Sequence, residues 1–191
     1  MKKIVKGIAV ILLMEVVLVC FSGCNIFKKH KKSNDAVINS NGDTEYTKEF
    51  GSYTVKSGWI ESKTHSTKTK FFYVKDGEDN EKKPNNISIN QGKNKYSKDE
   101  HLQFKDAITK QLAAQTKGSK NATINASGST TKNGYTLYTF ILKSNDSTAT
   151  QYYIVGEKKY VMIYETVWAD KDGTEADEVA HQMIDTFKWN D

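Results

Sequence analysis

The feature that most limits the possible folds is a run of four strand-like segments joined by short turns in the second half of the chain. The segments are Ala122 to Ser129, Tyr135 to Lys143, Thr150 to Val155 and Tyr160 to Trp168. Turn-forming residues separate them, among them the pair Asn133-Gly134. Because connections of so few residues join only antiparallel neighbours, the sequence predicts a four-stranded antiparallel meander.

Two amphipathic helices are predicted, one before and one after this meander. The first begins at a capping box formed by Ser97 and Glu100, and Gly118 is expected to end it. Its buried stripe recurs every four residues and consists of Phe104, Ile108 and Leu112. The second runs from about Thr174 to Phe187. Its stripe has a period of 3.6 residues and consists of Ala176, Val179, Ala180, Met183 and Phe187.

Three further strands are predicted before the first helix. They are Phe50 to Val55, Lys70 to Lys75 and Asn86 to Asn90, with an exposed loop from Asp76 to Asn85. Each helix has a single apolar stripe, which must be buried on the face of a sheet. The chain is therefore expected to form a layered α+β domain.

The element order, the pair Gly58-Trp59 after the first strand and the ending Thr186-Phe187-Lys188-Trp189 resemble a Mog1/PsbP-like domain over roughly residues 48–190. The resemblance implies an α/β/α sandwich with a mainly antiparallel sheet. It also implies a binding or assembly-accessory role rather than an enzyme, because members of this family share no active site. A cystatin-like or other helix-on-sheet fold is the alternative.

The front of the chain has the pattern of an export signal. Three lysines precede an apolar run from Ile8 to Phe21, which at about 14 residues is shorter than the roughly 20 that span a bilayer. The sequence Phe21-Ser22-Gly23-Cys24 resembles the lipobox of bacterial lipoproteins, which implies lipid attachment at Cys24. Cys20 is the competing acceptor, and an uncleaved anchor is the other alternative.

These features divide the chain into a signal peptide (1–23), a lipidated polar tether (24–45) and a folded domain (46–191). Two acyl chains would provide stable anchoring, so we expect the protein on the extracytoplasmic face of the cell membrane. Both cysteines lie in the front segment. The domain therefore has no internal disulfide and depends on its hydrophobic core.

The charge of the chain argues against a nucleic-acid partner. All 28 basic residues are lysines, so the planar fork of arginine is absent. Seven of these lysines and four of the 23 acids precede residue 46, which leaves 21 lysines against 19 acids, a net charge of +2, in the domain. Such a balance lacks the clustered positive charge of a nucleic-acid-binding surface.

No catalytic, metal or cofactor site is predicted. Asp177, His181 and Asp185 share one face of the last helix, but that face lies opposite the apolar stripe and is expected to be exposed. The acidic segment 170–175 has the composition of a calcium loop, yet its glycine comes fourth rather than sixth. A turn that leads into a helix explains the same residues.

The aromatic residues are the remaining candidates for a binding surface. Tyr160, Tyr164 and Trp168 alternate along one face of the last strand of the meander. If exposed, that face would suit a protein or a glycan; in a sandwich, the favoured interpretation is that it is covered. Glu165 projects to the other face, where it is unusual among apolar neighbours.

We therefore expect a non-enzymatic surface lipoprotein that binds a protein of the cell envelope or assists its assembly. The first alternative is a small-molecule or glycan-binding lipoprotein of an uptake or sensing system, and the second is a hydrolase with an unfamiliar site. A deep pocket lined by Tyr and Trp would favour the first alternative, and converging His and carboxylate groups the second. A flat apolar patch would favour protein binding.

Overall fold

The computed structural model describes residues 35–117 and 123–190, which form two antiparallel sheets and two α-helices. The smaller sheet has the order β1-β2-β3-β11 and comprises β1 (Asp35–Ile38), β2 (Thr44–Lys48), β3 (Gly51–Val55) and β11 (Lys188–Trp189).

The larger sheet has seven strands in the order β4-β5-β6-β10-β9-β8-β7. Its strands are β4 (Trp59–Glu61), β5 (Lys70–Lys75), β6 (Asn86–Lys93), β7 (Thr123–Thr130), β8 (Thr136–Lys143), β9 (Ser147–Gly156) and β10 (Lys159–Trp168). Helix α1 (His101–Thr116) follows β6, and helix α2 (Thr174–Thr186) follows β10.

The predicted α+β sandwich with a mainly antiparallel sheet is confirmed. The meander β7-β8-β9-β10 pairs in sequence order, as the short turns require. Both predicted helical stripes are buried, while Leu102, which lies off the first stripe, is 63% exposed. Glu100 accepts a hydrogen bond of 3.0 Å from the backbone N–H of Ser97, in the predicted capping arrangement. Gly118 lies outside the described residues.

The predicted boundary between tether and domain falls inside β2. Residues 35–48 form a hairpin rather than a polar tether, and its turn contains Gly42 with a φ of 82°. The side chain of Asn39 accepts hydrogen bonds from the backbone of Asn41 and Asp43. The polar residues Asn39, Asn41 and Asp43 are therefore turn residues rather than part of a tether. The signal peptide, Cys24 and the tether up to residue 34 lie outside the described residues.

Strand β10 divides the core into two parts because its alternate side chains point to opposite faces. Val161 and Ile163 face α2 and the smaller sheet, whereas Tyr160, Met162 and Tyr164 face α1. The buried stripes of the two helices complete one core each. The smaller sheet extends the first core through Tyr46, Phe50, Tyr53 and Val55. The result is an α/β/α arrangement in which both helices are held by the same central strands.

Phe187, directly after α2, lies where these layers meet. It is fully buried and contacts the rings of Phe50, Tyr135 and Trp189. We expect Phe187→Ala to lower the free energy of unfolding by about 3–5 kcal/mol, because it removes a large buried side chain.

Asp185→Ala is the matched control, since this residue forms an ion pair of 2.6 Å with the largely exposed Lys132. Its expected cost is below about 1 kcal/mol. Denaturant titration of both variants makes the comparison. Equal, small effects of the two substitutions would show that Phe187 is not packed between the layers.

Candidate functional site

The aromatic face predicted on β10 lies beneath α1. Tyr160 is partly buried, with ring centroids 5.4 Å from Phe104 and 5.3 Å from Tyr153. Tyr164 is partly buried in the same core, and burial raises its pKa to about 12. The two tyrosine rings thus pack inside the domain, as expected of a covered face.

Trp168 makes contacts that hold the loop between β5 and β6. Its indole Nε1–H donates to the carbonyl of Pro84 at 2.9 Å, and its backbone N–H donates to Asn85 Oδ1 at 3.1 Å. The ammonium of Lys83 lies 4.8 Å from its ring centroid. The indole N–H of this tryptophan therefore already makes a hydrogen bond within the domain.

The three predicted polar residues of α2 do not converge on one point. His181 and Asp177 are exposed and 3.6 Å apart, whereas Asp185 pairs with Lys132 instead. Within residues 35–117 and 123–190 no cluster of three His, Cys, Asp or Glu side chains is arranged to hold a metal ion. In the same ranges, no helix is long and apolar enough to cross a membrane.

Glu165 is a buried carboxylic acid on β10. It lies in a cluster with Tyr152 and Asp177 that the sequence only partly indicated. It is 3% exposed, and the hydroxyl of Tyr152 lies 3.4 Å from its carboxylate and 3.4 Å from that of Asp177. The Tyr152 ring contacts the ring of His181 at 5.6 Å. Burial, reinforced by the Asp177 carboxylate, raises the pKa of Glu165 from 4.5 to about 7. At neutral pH this side chain is divided between its neutral and charged forms.

A shallow cleft of about 900 Å³ opens beside β4 and β5. Tyr46, Ile60 and Phe71 contribute its apolar surface, and the loop between the two strands contributes its rim. Lys48 lies next to it, only 4% exposed, with its ammonium 2.8 Å from Glu61 Oε2 and 3.9 Å from the Phe71 ring centroid. No sequence pattern indicated this buried lysine.

The polar groups of the cleft are largely used to hold its own loop. Ser62 Oγ accepts from the backbone of His65, Ser66 Oγ accepts from Phe72, and Thr67 Oγ1 accepts from Lys70. The Glu61 carboxylate is paired with Lys48. A binding pocket needs a few converging polar groups that are free to orient a ligand, and these groups are already engaged.

A further candidate surface lies on the side of the larger sheet that faces α2. It arises because the sheet is wider than the layer that covers this side. Seven strands spaced by about 4.8 Å span roughly 29 Å, whereas a helix is about 10 Å across. Helix α2 packs on β10 and β6, and also contacts β3 of the smaller sheet. The outer parts of β7, β8 and β9 lie beyond this cover. We call this surface the outer face and define it by Asn125, Ser127, Thr139, Ile141 and Thr148.

The strand register places the residues of the outer face side by side. Ser127 is opposite Thr139, and Asn125 is opposite Ile141. All five residues are exposed or half-exposed, and none is charged. Tyr152 and His181 border the surface on the side of α2. It is a mostly hydroxyl-bearing area with one large apolar side chain, and exposed Lys143 borders it opposite Thr148. An open sheet face of this kind is suited to contact with another protein rather than to enclosing a small molecule.

The sequence contains one signal for this surface. The segment 123–130 reads TINASGST and has a single large apolar residue, Ile124. A strand with so little apolar surface cannot be covered on both faces. It therefore belongs at the rim of a sheet, with one face open.

Comparison with known proteins gives structural likenesses of low sequence identity. No protein-family model matches the chain, and no curated protein matches it. A solution structure of cyanobacterial PsbP (CyanoP) from Synechocystis sp. PCC 6803 is 13% identical, with a TM-score of 0.48, over 91% of this chain and 99% of the other.

A crystal structure from Bacteroides thetaiotaomicron VPI-5482 is 16% identical, with a TM-score of 0.40, over 82% of this chain. This chain spans about half of that one, at 48% coverage. The first of these two structures is a PsbP protein, the kind of domain that the sequence resembles.

The raised pKa of Glu165 has a consequence for stability. The folded protein retains this proton up to about pH 7, whereas the unfolded chain releases it near pH 4.5. This contribution therefore lowers stability as pH rises from about 4.5 to 7, by roughly 3 kcal/mol in total. We expect Glu165→Gln to stabilise the domain at pH 8 by up to that amount, and to change it little at pH 4.5.

Denaturant titration of parent and variant across this pH range measures the difference. Glu49→Gln, at an exposed position, should show less than about 0.5 kcal/mol at any pH. A Glu165→Gln effect that is the same at pH 4.5 and pH 8 would contradict the assignment.

Proposed function

We propose that this chain is a lipid-anchored, non-enzymatic domain on the extracytoplasmic face of the cell membrane, and that it binds a protein partner through the outer face. The observation that carries the proposal is the incomplete cover of the larger sheet. A folded domain normally covers the apolar side of its sheet, and here half-exposed Ile141 remains beside the uncharged Asn125 and Thr139, with exposed Lys143 at the border of the surface.

The composition of the outer face supports a protein partner. Interfaces exclude charged residues from their centres and surround them with polar groups. Ile141 would provide the buried anchor, while Thr139, Thr148 and Asn125 provide hydroxyl and amide groups for hydrogen bonds around it. The exposed ring of His181 would add contact area on the side of α2.

Binding of a small molecule or glycan has weaker support. The cleft beside β4 and β5 is open and has no tryptophan in its wall, and its hydroxyl groups already hold the loop. The aromatic residues proposed for such a role, Tyr160, Tyr164 and Trp168, are engaged inside the domain.

The anchor is part of the proposal and has its own test. Cys24→Ala in the full chain should abolish lipid labelling and leave an unprocessed precursor, since the acyl acceptor is absent. Persistent labelling in this variant, with loss in Cys20→Ala, would instead place the lipid on Cys20.

The binding surface is tested by photo-crosslinking in intact cells. A photoreactive phenylalanine analogue at Thr139 of the full chain should yield an adduct with another protein, and adding Ile141→Lys should remove that adduct by placing a charge in the contact. The same analogue at Lys68, in the exposed loop at the opposite end of the sheet, is the control. Equal crosslinking at both positions, or an adduct unaffected by Ile141→Lys, would refute the outer face as the binding surface.

A further inference from the structure

The two ends of the seven-stranded sheet are built differently. At one end β4 has only three residues, and its last residue, Glu61, is paired with Lys48. At the other end β7 has eight residues, seven of them exposed. Short edge strands limit pairing with other chains, whereas a long edge strand presents a row of free backbone N–H and C=O groups.

Strand β7 pairs on one side only. It is in register with β8 along its whole length, from Thr123 opposite Lys143 to Thr130 opposite Thr136, without a bulge. Among the strands of residues 35–117 and 123–190, none pairs with its other side. Its outward backbone groups are thus aligned for a further antiparallel strand.

The sequence of β7 has none of the usual features that block strand addition. It contains no charged residue and no proline, and these are the devices by which exposed edges are normally protected. Its middle residues, Ala126, Ser127 and Gly128, are small. A neighbouring strand therefore meets neither a charged nor a bulky side chain in the middle of β7.

These properties suit a second copy of the same strand. In an antiparallel pair related by a two-fold axis, each residue near the middle lies opposite itself or a close neighbour, so any charge on β7 would meet a like charge. The absence of charge removes this repulsion, and the domain as a whole carries only +2, from 21 lysines and 19 acids in residues 46–191.

We propose that two copies of this chain pair antiparallel through β7, joining their two sheets into one. The two-fold axis lies near Ala126 and Ser127 and keeps both copies of α1 on the same side. The contact is isologous, and the short β4 strands end the joined sheet at both extremes, so the assembly closes as a dimer. The pairing uses the outward backbone groups of β7 rather than the side chains of the outer face. Its test is therefore separate from the test of the protein partner proposed above.

Disulfide trapping in intact cells tests the pairing directly. The parent chain contains only Cys20 and Cys24, so it provides the background. Full-chain Ala126→Cys or Ser127→Cys should form a disulfide-linked dimer well above the level of Lys68→Cys, whose position is exposed at the other end of the sheet. Which of the two variants reacts reports the register, because only the residue on the two-fold axis lies directly opposite its own copy.

A charge exchange confirms that the partner is the same strand. Ala126→Lys in the detergent-solubilised full chain should shift the mass from dimer to monomer in light scattering, and so should Ala126→Glu, since Ala126 is exposed and does not belong to the outer face. Mixing the two variants should restore the dimer. Unchanged thermal melting of both variants checks that each still folds.

Three results would overturn the proposal. The first is trapping no higher than in Lys68→Cys. The second is a parent chain that is monomeric in light scattering. The third is a disulfide from Ser127→Cys to a different protein with no self-adduct, which would leave the edge as a surface for another partner.

Discussion

The structure depends on the two-sided burial of strand β10. Its odd-numbered residues Val161 and Ile163 contact the core beneath α2, and Tyr160 and Met162 on its other face contact the core beneath α1. Because β10 pairs with β6 on one side and β9 on the other, it fixes the register of the sheet centre as well. Both helices are held by this single strand and its neighbours.

The same constraint explains which part of the larger sheet stays uncovered. One helix covers roughly two strands. The smaller sheet extends the layer beside α2 toward β4 and β5 through Tyr46 and Phe50, and Phe187 and Trp189 extend it as far as Tyr135 and Gly156. The opposite end of the larger sheet keeps an open face and an open edge. Both proposed interactions follow from that one asymmetry, with a different partner on each surface.

Much of this architecture could be predicted from local sequence patterns. The short turns fixed the order and direction of β7 to β10, and the stripes of Phe104 and Val179 identified the buried faces of α1 and α2. The hairpin at residues 35–48 was missed because a polar turn around Gly42 has the composition of a flexible linker. The second sheet was missed because β11 has two residues and exists only through its pairing with β3.

The site was less predictable for a related reason. Whether a strand face is open depends on how far the opposing layer reaches, and no local pattern encodes that distance. The aromatic residues of β10 are binding candidates by residue type alone, but Tyr160 and Tyr164 pack beneath α1. Glu165 was recognised as unusual, whereas its contact with Tyr152 joins residues from different elements and appears only after folding.

Cysteine accessibility on neighbouring positions of the sheet tests the central claim most directly. Thr139→Cys and Ile141→Cys report the face beyond α2, and Ala149→Cys, a small and fully buried site in the core beneath α1, reports the covered face. In the native full chain, the first two should react with a water-soluble maleimide at a substantial fraction of the rate of the unfolded protein, corrected for Cys20 and Cys24. Ala149→Cys should react far more slowly. Strong protection at Thr139 and Ile141 in the purified protein would show that the outer face is covered, and would contradict the account.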